Sequence, residues 1–564
     1  MFNPSQLAIA VGGSTTIYAC VAEYNSPCST VGSSNISACD AIQAGYLDEE
    51  FRSNVFGAYI NPQWETCQTT GEQCLLDSKD PENLAPVLPP HTCKPGSVPS
   101  YFINVQSERD VQAGYEFSRQ TRIPLVIKNT GHDYKGRSSA PNSLALWMHN
   151  LKNISYSPHF VPEGCSLDYA APGVSVGAGV QWHEAYAFAE TNNITLVGGS
   201  DRTVGVSGGW LQGGGHSMLS NTMGLGVDRV LQFKVVTPDG QYKIANECQN
   251  QDLFFALRGG GGGTFGVVLG STTLASPQIS LHVVLVPLPV DKTGKPSISL
   301  TKQLWGIMVK NGVKWANEGW GGIASSGVAV YIIRGDLLTA EEAERSMQPL
   351  IEFGRNVWES SHDEDASTDS TNTTGGPVIT SFPSWGTFFD WFSASNVASV
   401  GVNLALASRL VPRDNFETAD KQATLVDALL EAKSSADNLL ILIDAPSSYP
   451  DPDKKTSVTE AWRSSLYHIT VTSTWNWNST LEDKKNHYRT AAKSLDKLRR
   501  ITPDAAYSNE ADVYEPNHET SFWGSNYDNL LGIKNKYDPD ALLDCWQCVG
   551  WKRQAPQFSC YPSI

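Results

Sequence analysis

The chain has 564 residues, 40% of them hydrophobic and 18% charged, with a formal net charge of -17 and a pI near 5.1. That length exceeds one ordinary core and predicts two or three domains, while the composition excludes a wholly disordered chain. The negative charge argues against nucleic acid or an anionic membrane as partner, and no apolar run of about eighteen residues exists to form a transmembrane helix.

Met1 to Ala22 contain no Lys or Arg, and Val11-Gly-Gly-Ser-Thr-Thr16 interrupts their apolar residues, so they make a poor signal peptide. Cys20, Cys28, Cys39, Cys67, Cys74 and Cys93 crowd the start and predict a disulfide-stapled arm over residues 1–98. Cys165 and Cys248 follow singly, and Cys545, Cys548 and Cys560 close the chain. Six cysteines permit fifteen pairings, and the odd total of eleven leaves one thiol without a partner in the monomer. Cys545-Trp-Gln-Cys548 has the spacing of half a zinc site, but no second pair accompanies it and no metal is expected. Sequons at Asn35, Asn153, Asn193, Asn372 and Asn478 add to the cysteines in predicting glycosylation and a secreted or secretory-lumen location.

Ser107-Glu-Arg-Asp110 has the form of a capping box, with Val111, Gly114, Tyr115 and Ser118 at helical spacing behind it. Leu125, Val126 and Ile127 then read as a buried strand, after which the chain switches to Asn129-Thr130-Gly131-His132-Asp133-Tyr134 and Lys135-Gly136-Arg137-Ser138-Ser139. Gly131 and Gly136 free the backbone to turn its N–H groups toward one point. The serines add hydroxyls and Arg137 adds charge, a chemistry suited to a pyrophosphate. His132 is either a solvated turn histidine or a contact to a cofactor.

A strand from Gly173 to Gly179, a helix from Trp182 to Thr191 and Thr195-Leu-Val-Gly-Gly-Ser200 follow, and the alternation predicts an α+β nucleotide-binding domain over 99–276. In the densest glycine region, Gly199, Gly205, Gly208, Gly209, Gly213, Gly214 and Gly215 interleave with Asp201, Val204, Trp210 and His216. Glycines this frequent are costly in entropy and belong where something flat presses on the backbone. A flexible Gly/Ser linker is the alternative, but it would lack the apolar residues. Leu225 to Gly240 reads as a strand entering a Pro-Asp-Gly turn, and Asp252 to Gly266 as a helix ending in five glycines. The five are not a P-loop, because Gly263-Thr-Phe-Gly266 lacks the Gly-Lys-Ser/Thr ending.

Beyond about Ser276 the glycines thin out. Strands from Leu281 and Ser326 and a helix from Thr339 to Val357 predict a substrate domain over 277–500, an antiparallel sheet flanked by helices. Ser360 to Pro377, acidic and Ser/Thr-rich, predicts a mobile surface loop. Trp385, Phe388, Phe389, Trp391 and Phe392 are either core or the lining of an aromatic substrate pocket. The last segment, 501–564, carries Tyr507-Ser-Asn-Glu-Ala-Asp512, Glu515-Pro516 and Phe522 to Leu530.

Asn129 to Ser139 resembles the flavin-attachment segment of the fungal berberine-bridge-enzyme-like flavoproteins, within the vanillyl-alcohol-oxidase (PCMH-type) superfamily that includes enzymes called isoamyl alcohol oxidases. The likeness covers roughly Pro99 to Trp551. It implies a PCMH-type FAD-binding domain with FAD carried covalently on His132, held by the loops above, and with Gly263, Gly266, Val267 and Val268 against its adenosine end. Asp201 and Arg202 stand where bicovalent members have Cys-Pro, which implies one tether rather than two. Val204 falls beside the oxygen-access side of the flavin.

The C-terminal segment resembles the family's berberine-bridge region, which returns to cover the flavin, and Asn526-Tyr527 matches its Asn-Tyr pair. Tyr527 is thereby implied as the base, with a buried structural tyrosine as the alternative. The implied reaction takes a hydride from an alcohol, sugar or amine carbon to FAD and passes the electrons to oxygen. Oxidative cyclisation or tailoring of a fungal secondary metabolite would use the same flavin. A non-catalytic glycosylated flavin-binding protein is the reading of another class, and the intact His132 and glycine loops count against it. A monomer acting on a small molecule is expected.

Overall fold

The computed structural model describes residues 17–19, 26–29, 36–362, 376–394, 399–449 and 455–564. Asn35, Asn372 and most of the expected acidic loop, residues 363–375, lie outside that set.

The fold is α+β and is built on three main sheets. The first carries β1 (Ile17–Ala19), β2 (Tyr101–Asn104), β3 (Leu125–Lys128) and β4 (Leu144–Trp147) in the order β1-β2-β4-β3. β2 and β3 both run parallel to β4. The helix Glu108–Thr121 makes the β2 to β3 crossover, started by its capping box: the Asp110 carboxylate accepts the Ser107 N–H at 3.0 Å. Its Val111 and Tyr115 bury against Ile103, Leu125, Leu144 and Leu146. Because β3 is covered on both sides, it reads as a continuous apolar run rather than an alternating one.

The second sheet is antiparallel. Its strands are β5 (Ile154–Phe160), β6 (Ala171–Gly177), β8 (Val230–Val236), β9 (Tyr242–Asn246) and β10 (Val267–Leu274), in the order β5-β6-β10-β8-β9. β7 (Ile194–Thr195) pairs separately with β11 (Ser276–Pro277). The strand expected from Leu225 begins only at Val230. The Asp228 carboxylate accepts the Leu225 N–H at 2.8 Å and turns Gly226–Arg229 into a 3-10 helix first.

The third sheet has seven strands, all antiparallel to their neighbours: β12 (Leu281–Pro287), β13 (Gly321–Ala324), β14 (Val328–Arg334), β15 (Val378–Phe382), β16 (Asn403–Pro412), β17 (Asn438–Ile443) and β18 (Ser465–Trp475). Their order is β15-β12-β14-β13-β17-β18-β16. The two-residue side-chain period decides its faces. Ala405, Ala407, Leu439, Ile441, Ile469 and Val471 bury against the helices Ile298–Glu318, Ala419–Ser435 and Leu481–Ser494. The alternating residues Leu404, Leu406, Leu440, Leu442, Thr470 and Thr472 face a cavity instead. The flanking helix expected over Thr339–Val357 runs over Ala340–His362.

The aromatic run resolves as core. Trp385, Phe388, Phe389 and Phe392 are all buried, packed with Trp182 and Tyr186, and Phe392 alone of the run also reaches the cavity wall. Trp391 stays 38% exposed.

The C-terminal segment comes back to the first two sheets. Leu530, Ile533 and Tyr537 of the helix Tyr527–Tyr537 pack with Phe254 and Leu257, and Lys534 Nζ donates to the Thr264 carbonyl at 2.7 Å. Disulfides join Cys28 to Cys39, Cys74 to Cys93, Cys165 to Cys248, Cys545 to Cys548 and Cys67 to Cys560. The arm is thus stapled partly to itself and partly, through Cys67, to the chain's far end 493 positions away. Cys545 and Cys548 are bonded to each other and offer no thiolate pair to a metal. Among the described residues no helix is long and apolar enough to cross a membrane.

Candidate active site

A cavity of about 460 Å³ lies between the seven-stranded sheet and the glycine loops. Its first wall begins where β3 ends. Lys128 is fully buried with its Nζ donating to the Ala58 carbonyl at 2.6 Å, so its charge anchors the strand end rather than facing the cavity. The loop after it doubles back at Gly136, whose φ is +73° and whose absent Cβ would stand 2.2 Å from the Trp64 ring. A second close approach fixes the neighbouring loop, since a Cβ on Gly205 would lie 2.1 Å from Asn129 Oδ1. These two glycines let the loops nest with their backbones inward.

Asn129, Thr130, Gly131, His132, Asp133, Tyr134, Arg137 and Ser138 line the cavity, as do Gly199, Asp201, Val204, Gly205, Gly208, Gly209, His216, Gly263, Gly266 and Val268. Gly136, Ser139, Gly213, Gly214, Gly215 and Val267 do not. Arg137 is not a free cation. Its Nη2 donates to Asp133 Oδ1 at 2.7 Å and to Asn509 Oδ1 at 3.0 Å.

His132 Nε2 is 2.6 Å from Thr203 Oγ1 and 3.4 Å from Asp201 Oδ1, which in turn accepts the Thr203 N–H at 3.0 Å. Burial lowers the pKa of His132 against the opposing pull of Asp201, so the ring is a neutral imidazole at pH 7. Glu49, from the short helix Glu49–Ser53, also lines the cavity. Burial, and then the neighbouring Asp201, push its carboxyl up to about 8. The Asp201 carboxylate thus adds to burial in keeping the proton on Glu49. Arg202 Nε lies 3.7 Å from Glu49 Oε1 while its Nη2 donates to Glu50 Oε1 at 2.6 Å, and its pull on Glu49 is smaller than that of burial.

The cavity wall holds a second charged group. His216 Nδ1 is ion-paired with Asp444, and its Nε2 donates to Glu510 Oε1 at 2.8 Å. Burial works against its charge, but the two carboxylates outweigh burial and hold its pKa well above the ordinary value. Burial would raise Glu510, yet the imidazolium prevails and lowers it. His468 stands fully buried behind them, neutral through burial, with Nδ1 3.8 Å from Glu510 Oε2. Tyr507 lines the same wall, its Oη accepting from the Gly215 N–H at 3.1 Å and from Asn509 Nδ2 at 2.7 Å. Of the charged group, Glu510 and His216 face the cavity.

Residues 99–246 match the family described as FAD binding domain, and residues 506–549 match berberine and berberine like. The chain is 37% identical over 554 residues to the FAD-linked oxidoreductase ffsJ of Aspergillus flavipes, covering 92% of this chain and 86% of that one. The chain belongs to the berberine-bridge-like FAD-linked oxidoreductases. Within that family it is 31% identical over 459 residues to the VAO-type flavoprotein oxidase VAO615 of Thermothelomyces thermophilus, spanning 81% of this chain and 76% of the relative. The crystal structure of the VAO-type flavoprotein MtVAO615 from Myceliophthora thermophila C1 superposes with a TM-score of 0.80 at 27% identity, covering 97% of this chain and 94% of that one.

This FAD-linked oxidoreductase fits its cofactor in detail. Asn129 Oδ1, Ser138 Oγ and Gln212 Oε1 are buried on the cavity wall without a hydrogen-bond partner in the protein, an arrangement that a polar ligand satisfies. The glycine loops supply the backbone cradle, and the bound FAD supplies two-electron acceptance.

The site corrects one expectation. Asn526 and Tyr527 lie outside the cavity: Asn526 Nδ2 donates to the Val458 carbonyl at 2.9 Å, and Tyr527 packs on Trp523 with ring centroids 5.7 Å apart. Burial, and then Glu519, push the Tyr527 phenol up to about 12, the wrong direction for a base. Residues of that C-terminal segment that do face the cavity include Tyr507, Asn509 and Glu510, and Glu510 is the one that pairs with His216. It sits in the Tyr507-Ser-Asn-Glu-Ala-Asp512 stretch, where nothing in the sequence pairs it with His216. Glu49 and Asp444 carry no motif at all and join the site only through the fold.

Asn153, Asn193 and Asn478 are exposed, as glycosylation requires.

Proposed function

We propose that the protein is an oxidase that holds FAD covalently on His132 and takes a hydride from a carbon bearing a hydroxyl or amine on a small molecule. The observation that carries this reading is that one cavity is lined by both a neutral imidazole, His132, and an ionised carboxylate, Glu510. Glu510 accepts the proton of the substrate's hydroxyl or amine and becomes a neutral carboxyl beside the His216 imidazolium. His216, already protonated, orients the carboxylate and lends it a hydrogen bond; Asp444 fixes the imidazolium from behind. The glycine loops exclude water from the opposite side. Asp201 offers no thiolate, so His132 is the single tether. Five disulfides among the described residues and the exposed sequon asparagines support an oxidising, secretory location.

The test is anaerobic mixing of the purified yellow protein with a panel of alcohols, sugars and amines, followed by air. Bleaching by at least one class and recolouring with hydrogen peroxide release are expected. Bleaching without recolouring in air would make the protein a dehydrogenase.

A further inference from the structure

We infer that the substrate is a non-anionic, predominantly aliphatic skeleton that lies along the inner face of β16, β17 and β18 with its oxidisable carbon at the His216–Glu510 end. The inference rests on the reading of Glu510 as proton acceptor and adds the chemical class that the same cavity takes. Two observations carry it.

The first is the order of residues along the sheet. Opposite His468 on β18 is Leu442 of β17; two residues further along, Leu440 is opposite Thr470; two further again, Leu406 of β16 is opposite Thr472. At about 3.3 Å per residue the face runs about 13 Å from the acid–base end to Leu406. Ile323 of β13, opposite Leu442, and Phe392 complete its apolar surface. A glycan needs paired donors and acceptors at each ring; this stretch offers two threonine hydroxyls and Asn438 among branched aliphatic side chains.

The second is the state of the cations. Those on the cavity wall are Arg137, Arg202 and His216, and each is already engaged: Arg137 with Asp133, Arg202 with Glu50, and His216 with Asp444 and Glu510. Among the described residues no cation on the wall is left for a substrate carboxylate or phosphate, and Glu510 repels one.

The test is calorimetric titration of the purified, flavin-loaded protein with butan-1-ol, hexan-1-ol, octan-1-ol, hexanoate and cellobiose, with flavin absorbance followed on the same samples. Kd is expected to fall by up to about fourfold per added methylene along the alcohols. Hexanoate should bind at least about tenfold more weakly than hexan-1-ol, and cellobiose should give no heat. Leu440→Asn, and separately Leu406→Asn in case one variant fails to fold, should cut the gain per methylene below about twofold without changing flavin content. Equal Kd along the alcohols, or hexanoate or cellobiose binding tighter than octan-1-ol, would overturn the aliphatic assignment. Because binding is read without turnover, the expected order with no bleaching by any member of an alcohol and amine panel counts against the hydride reading instead.

Discussion

Glu510 Oε1 stands 2.8 Å from His216 Nε2, although 294 positions of sequence separate them. One comes from the glycine-rich loops and the other from the C-terminal segment, so the contact forms only when that segment has returned to the cavity. In the proposed reaction Glu510 is the proton acceptor, and its removal isolates that role. Glu510→Gln should lower kcat by about 10²- to 10⁴-fold while flavin content stays that of the parent. A variant within tenfold of the parent would remove Glu510 from the chemistry.

The same pair sets a pH response. Glu510 is held below its ordinary 4.5, so kcat/KM is expected to stay flat from pH 7 down to about 5 and to fall only below that. The stability signs differ for the two partners. The contribution of His216, whose pKa is raised, is complete below its ordinary 6.5 and lost as pH climbs through the raised value. That of Glu510, whose pKa is lowered, is complete above 4.5 and lost as pH drops through the lowered value. The Tm difference between the parent and His216→Asn should therefore be largest between pH 4.5 and 6.5. A difference that grows steadily toward pH 9 would contradict the assignment.

Glu49 behaves in the opposite sense to Glu510. Its carboxyl titrates near 8 in the fold against an ordinary 4.5, so its contribution is complete below 4.5 and is lost as pH rises through 8. Glu49→Gln should flatten the decline of Tm over that range and raise Tm at pH 8 by about 1 °C. An unchanged slope in differential scanning calorimetry would mean that Glu49 does not keep its proton in the fold.

Much of the fold was legible because its signals are local. The capping box at Ser107, the apolar run at β3 and the glycine loops each announce themselves within a few residues, and the flavin loop was placed from them. The acid–base end was not legible for a physical reason. His216, Asp444 and Glu510 come from three segments, and no periodicity ties a glycine-loop histidine to a carboxylate that follows a β17 strand. Tyr527 was favoured because an Asn-Tyr pair is visible in sequence; which face of a terminal helix it occupies is decided by packing on Trp523. The Cys67–Cys560 link was hidden for a similar reason, since fifteen pairings among the first six cysteines already exhaust what spacing can say.

That link carries its own prediction. Closing most of the chain into one loop, it should stabilise by about 2–5 kcal/mol, and Cys560→Ser should lower Tm without altering the cavity's charge groups. Urea unfolding followed by tryptophan fluorescence reads the change; a midpoint equal to the parent's would mean that the link holds nothing the packing does not already hold.

The central claim is that FAD is tethered once, through His132. His132 Nε2 is engaged by Thr203, the ring is neutral, and Asp201 rather than a cysteine faces it. The direct measurement is proteolysis of acid-precipitated protein, with mass mapping of the yellow peptide in the parent and in His132→Ala. Flavin mass on one peptide containing His132 and no cysteine, with no peptide-bound flavin in His132→Ala, is the predicted result. A flavin peptide lacking His132, a cysteine on the flavin, or colour released wholly into the acid supernatant of the parent would contradict it.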